Sequence, residues 1–386
     1  MNLLKRGYLP EEDPLNKLPK DKFSVEHRIW WDDLVSDLPK LLRRPSYRNK
    51  VIETMPALQL PENLNQRELE SAMRNLSFLA AGFVWEGGSH SEYLPPQIAI
   101  PLYEVAKKLG RPPILAYNSY ALNNWARIDP NGPIEVENLS ILKNFNLGMP
   151  QIDEDWFILI HIQIEQEAGP AMEICRALQF PTFKQVVHKH FETIFASMEK
   201  VNKVMFRMPE KCDPKRYFQY VRPWITGYMQ YPVIFLGVTD PAYKTPARLI
   251  GETGAQSMMM PTLDAAFGID HSPNDLKHFT DKCLHEYAPK EHREYVLDLL
   301  SGQKITQLVL DNYGTESEEA KLHDACIGEM IRFRERHLQY AHDYIANQTE
   351  TNSLNSNRYG TGGSMLIQYL QGRLERTKRQ LIYKAA

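Results

Sequence analysis

The sequence predicts a mainly α protein in which a smaller N-terminal unit, with room for a little sheet, precedes a larger helical one. Two patterns carry that expectation. Beyond about residue 150, apolar side chains recur at steps of three and four over long stretches, the repeat of a helix with one buried face. The first third is instead punctuated by proline, which breaks helices and biases the preceding residue toward extended backbone. No internal repeat is visible.

In chain order, Pro10, Pro14, Pro19, Pro39, Pro45, Pro56, Pro61, Pro95, Pro96, Pro101, Pro112 and Pro113 divide the N-terminal part into short pieces. Amphipathic segments at 32–42 and 66–84 survive between them, so short helices with long connections are expected. Asp129-Pro130-Asn131-Gly132-Pro133 is a turn signal. It stands just ahead of a boundary placed within 144–151, giving units 1–148 and 149–386. The second unit is expected to contain helices at 155–168, 183–206, 214–221, 274–287, 291–301 and 319–345. Asp153 and Glu154, Pro181 and Thr182, and the acidic run Glu316 to Glu319 supply start signals. The run 157–164 (FILIHIQI) alternates well enough for a buried strand, but its continuation into Glu165-Gln166-Glu167-Ala168 favours a helix. The polar stretch 347–357 reads as a mobile loop.

Composition narrows the function classes. Of 386 residues, 43% are hydrophobic and 24% charged, with a net charge of −3, which favours neither nucleic acid nor an anionic membrane. No run approaches the ~20 apolar residues of a membrane span. The N-terminus lacks the apolar core of a secretory signal. Cys175, Cys212, Cys283 and Cys326 form no C-x-x-C pair and read as isolated reduced thiols. A cytoplasmic protein is expected.

Several residues could carry chemistry. His337 sits at the centre of a stripe formed by Leu322, Cys326, Met330, Phe333, Ala341 and Tyr344, with Glu329, Arg332, Arg336, Gln339 and Asp343 off it. A buried imidazole must find a hydrogen-bond partner or ligate something. On its own helix the satisfied core histidine is the simpler reading. His161 shares a face with Phe157 and Ile164, and the same two readings apply. Phe218 and Arg222, four apart, project from one face of a short helix that Pro223 ends or kinks. A guanidinium there suits a carboxylate, or equally a surface role over aromatic packing. The loops Gly251-Glu-Thr-Gly-Ala-Gln-Ser257 and Gly360-Thr-Gly-Gly-Ser364 match no phosphate-binding signature, though they would let a ligand approach backbone. His188 and His190 are two apart on a helix and diverge, and His285 and His292 fall in a segment that reads as surface. No H-E-x-x-H, G-x-S-x-G or zinc-type cysteine pattern is present.

Taken in order, Gly7 to Pro10, Asp13 to Pro19, Leu94 to Leu102, Leu109 to Leu115, Trp156 to Glu165, Phe218-x-x-x-Arg222, Gly251 to Ser257, Leu263 to Ile269, Phe333-Arg-x-Arg-His337 and Gly360 to Ser364 resemble the indoleamine 2,3-dioxygenase family, in a microbial-type member. The likeness spans about residues 7 to 378. It implies an N-terminal unit capping a larger all-helical unit that holds haem b, with dioxygen as co-substrate. His337 matches the proximal iron ligand, and Arg334 matches an arginine paired with an aspartate at Asp264. Gly362 falls among the cofactor contacts. Tyr117, Phe157, Tyr217 and Phe218 fall where the family lines its distal pocket, and Arg222 where it receives the substrate carboxylate. Thr361, with Thr253 and Gly254, falls where the substrate's amino acid moiety is contacted.

The implied reaction inserts both oxygen atoms across the indole C2–C3 bond of L-tryptophan, giving N-formylkynurenine. The expected partner is this small aromatic amino acid, and the expected state is a monomer or weak homodimer. Three positions depart from the family. His161 stands where the best-known members have serine, whereas related tryptophan 2,3-dioxygenases carry a distal histidine. It could bond bound oxygen or the indole N–H. Tyr120 occupies a position that is small in the best-known members, and Tyr217 replaces phenylalanine. These departures leave open an oxygenase or hydroxylase of another aromatic amino acid or indole derivative, or a non-catalytic haem-binding sensor.

Overall fold

The computed structural model describes residues 5–44, 46–179, 184–271, 275–349 and 355–384. The start signal at Pro181 and Thr182, residue 274 and the middle of the polar stretch at 347–357 lie outside the described residues. The architecture is mainly α, as the sequence predicts.

The N-terminal third starts with strand β1 (Lys5–Tyr8), then α1 (Val25–His27), which runs through a π-helical turn into α2 (Leu34–Leu41), and α3 (Tyr47–Thr54). Helix α4 (Gln66–Trp85) starts at a reciprocal cap. Asn65 Oδ1 accepts from the Glu68 amide at 2.9 Å, and Glu68 Oε2 accepts from the Asn65 amide at 2.8 Å. Beyond its first turn α4 is buried on every side, so its polar residues must be satisfied internally. Arg74 shows how: its guanidinium donates to the carbonyls of Asn123 (2.8 Å) and Leu15 (2.9 Å). Strand β2 (Tyr93–Leu94) leads into α5 (Pro96–Leu109), and β3 (Trp125–Arg127) pairs antiparallel with β4 (Leu139–Ile141), Trp125 opposite Ile141. The expected turn lies between them, closed by the Gly132 amide on the Asp129 carbonyl at 3.0 Å.

Helix α6 (Met149–Ala177) is the axis of the larger part, so the ambiguous 157–164 run is helical. It continues well past 168, through Pro170, because a hydroxyl repairs the break. Ser197 Oγ donates to the Glu167 carbonyl at 2.5 Å and accepts from the Ala171 amide at 3.3 Å, standing in for the missing rung. Ser197 lies on α7 (Lys184–Met205), which packs along α6. The short α8 (Pro214–Arg216) passes into a π turn at Tyr217–Val221, and β5 (Ile234–Phe235) pairs parallel with β2. That pairing, with β1 lying along α6, ties the N-terminal third to the rest.

There follow α9 (Met259–Phe267), α10 (Asp275–Lys282), α11 (Lys290–Ser301), α12 (Ile305–Asn312), α13 (Glu318–Ala341) and α14 (Leu366–Lys378). Helix α13 packs between α7 and α14 and passes into a further π turn at His342–Ala346. The four cysteines are free and buried. One surface expectation needs correction. His292 is buried on α11, its ring 4.5 Å from that of Tyr8. Glu329 is also buried, accepting from Asn202 Nδ2 at 2.7 Å.

Candidate functional site

The π turns, α6, α9, α13, α14 and the two glycine loops enclose a cavity of about 210 Å³. Helix α6 contributes Phe157, His161 and Ile164, one stripe at i, i+4 and i+7. Helix α13 contributes Phe333, Arg334, His337, Tyr340 and Ala341 around its last turns. The stripe expected around His337 therefore packs into the core at Cys326 and Met330 and opens into the cavity from Phe333 onward.

His161 meets half of its simpler reading. Its Nδ1 lies 2.7 Å from the Phe157 carbonyl. A carbonyl oxygen only accepts, so Nδ1 carries the proton and Nε2 keeps a lone pair. Burial lowers the affinity of the ring for a second proton. His161 is thus a neutral acceptor on the cavity wall, its ring 4.4 Å from Phe157 and 5.9 Å from Tyr117. Neither ring nitrogen of His337 bonds to any described residue. Burial, helped by His161, Arg334 and Arg373, pushes its imidazole down to about 4. A neutral, unpartnered imidazole is the form that ligates a metal. No cluster of three or more metal-binding side chains occurs among the described residues, so an ion held here would rely on this one nitrogen.

Asp264 is gripped by three groups: Arg334 Nη2 at 2.7 and 2.8 Å, Arg373 Nη2 at 2.7 Å and His271 Nε2 at 2.9 Å. Burial alone would raise its pKa, but the surrounding cations hold the carboxyl far below the usual carboxylate range. Two arginines against one carboxylate leave an excess of positive charge beside the cavity. Lone imidazole, aromatic and aliphatic walls and spare positive charge together fit a flat, apolar, metal-bearing group with acidic side arms.

The remaining expected residues divide. Tyr117, Tyr217, Thr253, Gly254 and Thr361 are on the wall. The hydroxyls of Tyr117 (3.0 Å) and Ser257 (2.5 Å) both donate to Glu165 Oε1, whose carboxyl burial raises to about 7. Tyr120, Phe218, Gly362 and Arg222 are not on the wall. Tyr120 stands behind Phe157, stacked on Phe78 at 5.8 Å with its hydroxyl 3.4 Å from Glu154. Phe218 is wholly buried, 5.6 Å beneath the Arg222 guanidinium. Gly362 sits where a Cβ would come within 2.9 Å of Phe279, so it is a packing position. Arg222 donates to Asn355 Oδ1 and to the Tyr359 carbonyl and lines a neighbouring cleft, which shares Gly360 and Thr361 with the cavity as a common wall. The physical reason is the orientation of the π turn. Within it, Phe218 and Arg222 share one face, as their spacing predicts, but it is Tyr217, one residue before Phe218, that faces the cavity.

Tyr369, Arg373 and Glu252 are among the wall residues that sequence reasoning does not single out. Tyr369 and Arg373 lie on α14, where Leu366, Tyr369, Leu370, Arg373 and Leu374 carry a readable helical stripe. Glu252 lies inside the first glycine loop, which was read as backbone alone. The signal was an acid between glycines. Gly251 and Gly227 cross so closely that a Cβ on Gly227 would fall 2.1 Å from the Gly251 nitrogen, so only glycines fit there.

The family model for indoleamine 2,3-dioxygenase matches residues 3–380. The chain is 28% identical to indoleamine 2,3-dioxygenase 1 of Rattus norvegicus, covering 96% of this chain and 92% of that one. It is 29% identical to indoleamine 2,3-dioxygenase of Saccharomyces cerevisiae, over 91% of this chain and 80% of that one. It is also 27% identical to a protein of Haliotis madaka named myoglobin, over 95% and 93%.

Proposed function

The chain belongs to the indoleamine 2,3-dioxygenase family, and we propose that it is a haem-dependent oxidoreductase that inserts both atoms of dioxygen across the indole C2–C3 bond of L-tryptophan, giving N-formylkynurenine. The observation that carries this reading is the pair of neutral imidazoles on one aromatic-walled cavity, one with both nitrogens unpartnered and one fixed as an acceptor.

His337 would hold the iron of haem b, and the positive excess of Arg334 and Arg373 over Asp264 would receive its acidic arms. Bound haem supplies the activation of dioxygen. The chain's own residues do the rest. Phe157, Tyr217 and Ile164 exclude water and pack an indole ring. His161 Nε2, as an acceptor, takes the indole N–H; in this tautomer it has no proton to offer oxygen. Thr361 and Thr253 line the end that would hold the amino acid moiety, and Arg222 stands one loop away, bonded to the Tyr359 carbonyl. Holding the substrate in a fixed pose beside the reacting centre is the main catalytic contribution asked of these groups. In this reading residues 1–148 cap the unit at 149–386.

A second reading, a protein that retains the haem pocket without turnover, is favoured by the relative named myoglobin. One experiment separates them. Purified protein is loaded with haem, checked for a Soret band, and given L-tryptophan with ascorbate and methylene blue. N-formylkynurenine supports the dioxygenase; a full Soret band with no product supports the second reading and overturns the first.

A further inference from the structure

Glu252 presents an unusual arrangement. The residue is 3% exposed, on the wall of the cavity described above, and its carboxyl accepts no hydrogen bond from any described residue. Its backbone is held on both sides: its amide donates to the Ile225 carbonyl at 3.2 Å, and its carbonyl accepts from the Thr361 hydroxyl. The carboxyl therefore cannot swing out to solvent by a local backbone shift. A buried acid without a donor is costly, and proteins keep such groups where a ligand completes them.

The nearby cations are committed elsewhere. Arg334 and Arg373 both bond to Asp264, and Arg222 lines the cleft beyond Gly360 and Thr361. The other ionisable groups on or beside the wall include His161, His337, the hydroxyls of Tyr117, Tyr120, Tyr217, Tyr340, Tyr344 and Tyr369, and Glu165, which already accepts from Tyr117 and Ser257. Tyr117, Tyr120 and Tyr217 are close enough to Glu252 for its charge to raise their pKa values. Burial pushes the Glu252 carboxyl itself up to about 8, so near neutral pH it holds its proton. What this end of the cavity lacks is a small cation with several donors.

We propose that Glu252 receives the α-ammonium group of the substrate, so that the pocket selects primary amines bearing an aromatic ring over the corresponding des-amino acids. As the ammonium seats, the carboxyl releases its proton to solvent and the resulting carboxylate accepts from the N–H groups. This assignment rests on the reading of the cavity as an aromatic amino acid site.

The test measures equilibrium binding to the haem-loaded protein of L-tryptophan, tryptamine, which lacks the carboxylate, and indole-3-propionate, which lacks the amine. In Glu252→Gln, tryptophan and tryptamine should bind about tenfold to a hundredfold more weakly, while indole-3-propionate is unchanged. Equal effects on all three ligands, or none, would overturn the assignment. Wild-type protein gives an independent reading should the variant fold poorly. Calorimetry at pH 6.5 in buffers of different ionisation enthalpy should report about one proton released per tryptamine and none per indole-3-propionate. Equal release for both sinks the proposal. Product analysis keeps the two readings apart. N-formylkynurenine formation with Glu252→Gln unaltered rejects Glu252 alone, and amine selection through Glu252 without product rejects the dioxygenase alone.

Discussion

Arg334 and Asp264 meet through one guanidinium nitrogen that reaches both carboxylate oxygens, at 2.7 and 2.8 Å, and the pair is buried. Removing the carboxylate would strand two arginines in the interior. Asp264→Asn should cost about 3–5 kcal/mol of stability, the usual penalty for breaking a buried pair from one side. Denaturant unfolding measures it. A loss below about 1 kcal/mol would mean that the arginines are solvated.

His337→Ala should abolish the Soret band of haem-supplemented protein while leaving the far-ultraviolet circular dichroism intact. Haem bound as tightly as in the unaltered protein would remove His337 as the iron ligand.

His161→Ala should weaken L-tryptophan binding by about 1–2 kcal/mol, the worth of one hydrogen bond in a closed site. The same substitution should leave the affinity for 1-methyl-L-tryptophan unchanged, because that ring has no N–H to donate. Equal losses for the two ligands would show that His161 only shapes the wall.

Arg222→Ala should raise KM by about 2–4 kcal/mol in equivalent free energy with haem loading unchanged. An unchanged KM would confine Arg222 to its structural bonds with Asn355 and the Tyr359 carbonyl.

His292 gives the chain an acid-sensitive term. Burial, with Arg111 nearby, pushes it down to about 3, whereas in the unfolded chain it titrates near 6.5. Between those values the unfolded state binds more protons, so stability rises with pH there and falls as pH drops from about 6.5 toward 3. The shift corresponds to on the order of 5 kcal/mol at the acid end. As the pH is lowered through this window, the urea midpoint of the wild type should fall relative to that of His292→Leu. Parallel curves would place His292 in contact with solvent.

The long helices were legible because their burial is periodic. Helix α13 shows this over six turns, and the sequence also brought Arg334 to Asp264 and both histidines to one cavity. Helix α6 was read as ending before Pro170, since the hydroxyl that repairs the break lies on another helix at Ser197, invisible to any local pattern. Helix α5 was missed because Pro96 and Pro101 read as breakers, although Pro96 stands at a first-turn position that needs no amide. For Arg222 and Phe218 the helical spacing predicts a shared face, which they keep, whereas their place in the pocket is only what the family resemblance implies, and neither is on the cavity wall. Glu252 was hidden because its meaning depends on which donors are absent around it.

The crossing of Gly227 and Gly251 has a consequence for how this pocket can change over evolutionary time. The Gly227 amide donates to the Thr361 carbonyl at 3.1 Å, and the Thr361 hydroxyl donates to the Glu252 carbonyl, so three segments far apart in the chain are spliced into one unit. Neither glycine can take a side chain, and neither loop can slide without dragging the other two. New specificity at this end of the cavity must therefore come from exchanging side chains at fixed positions, not from lengthening or reshaping the loops.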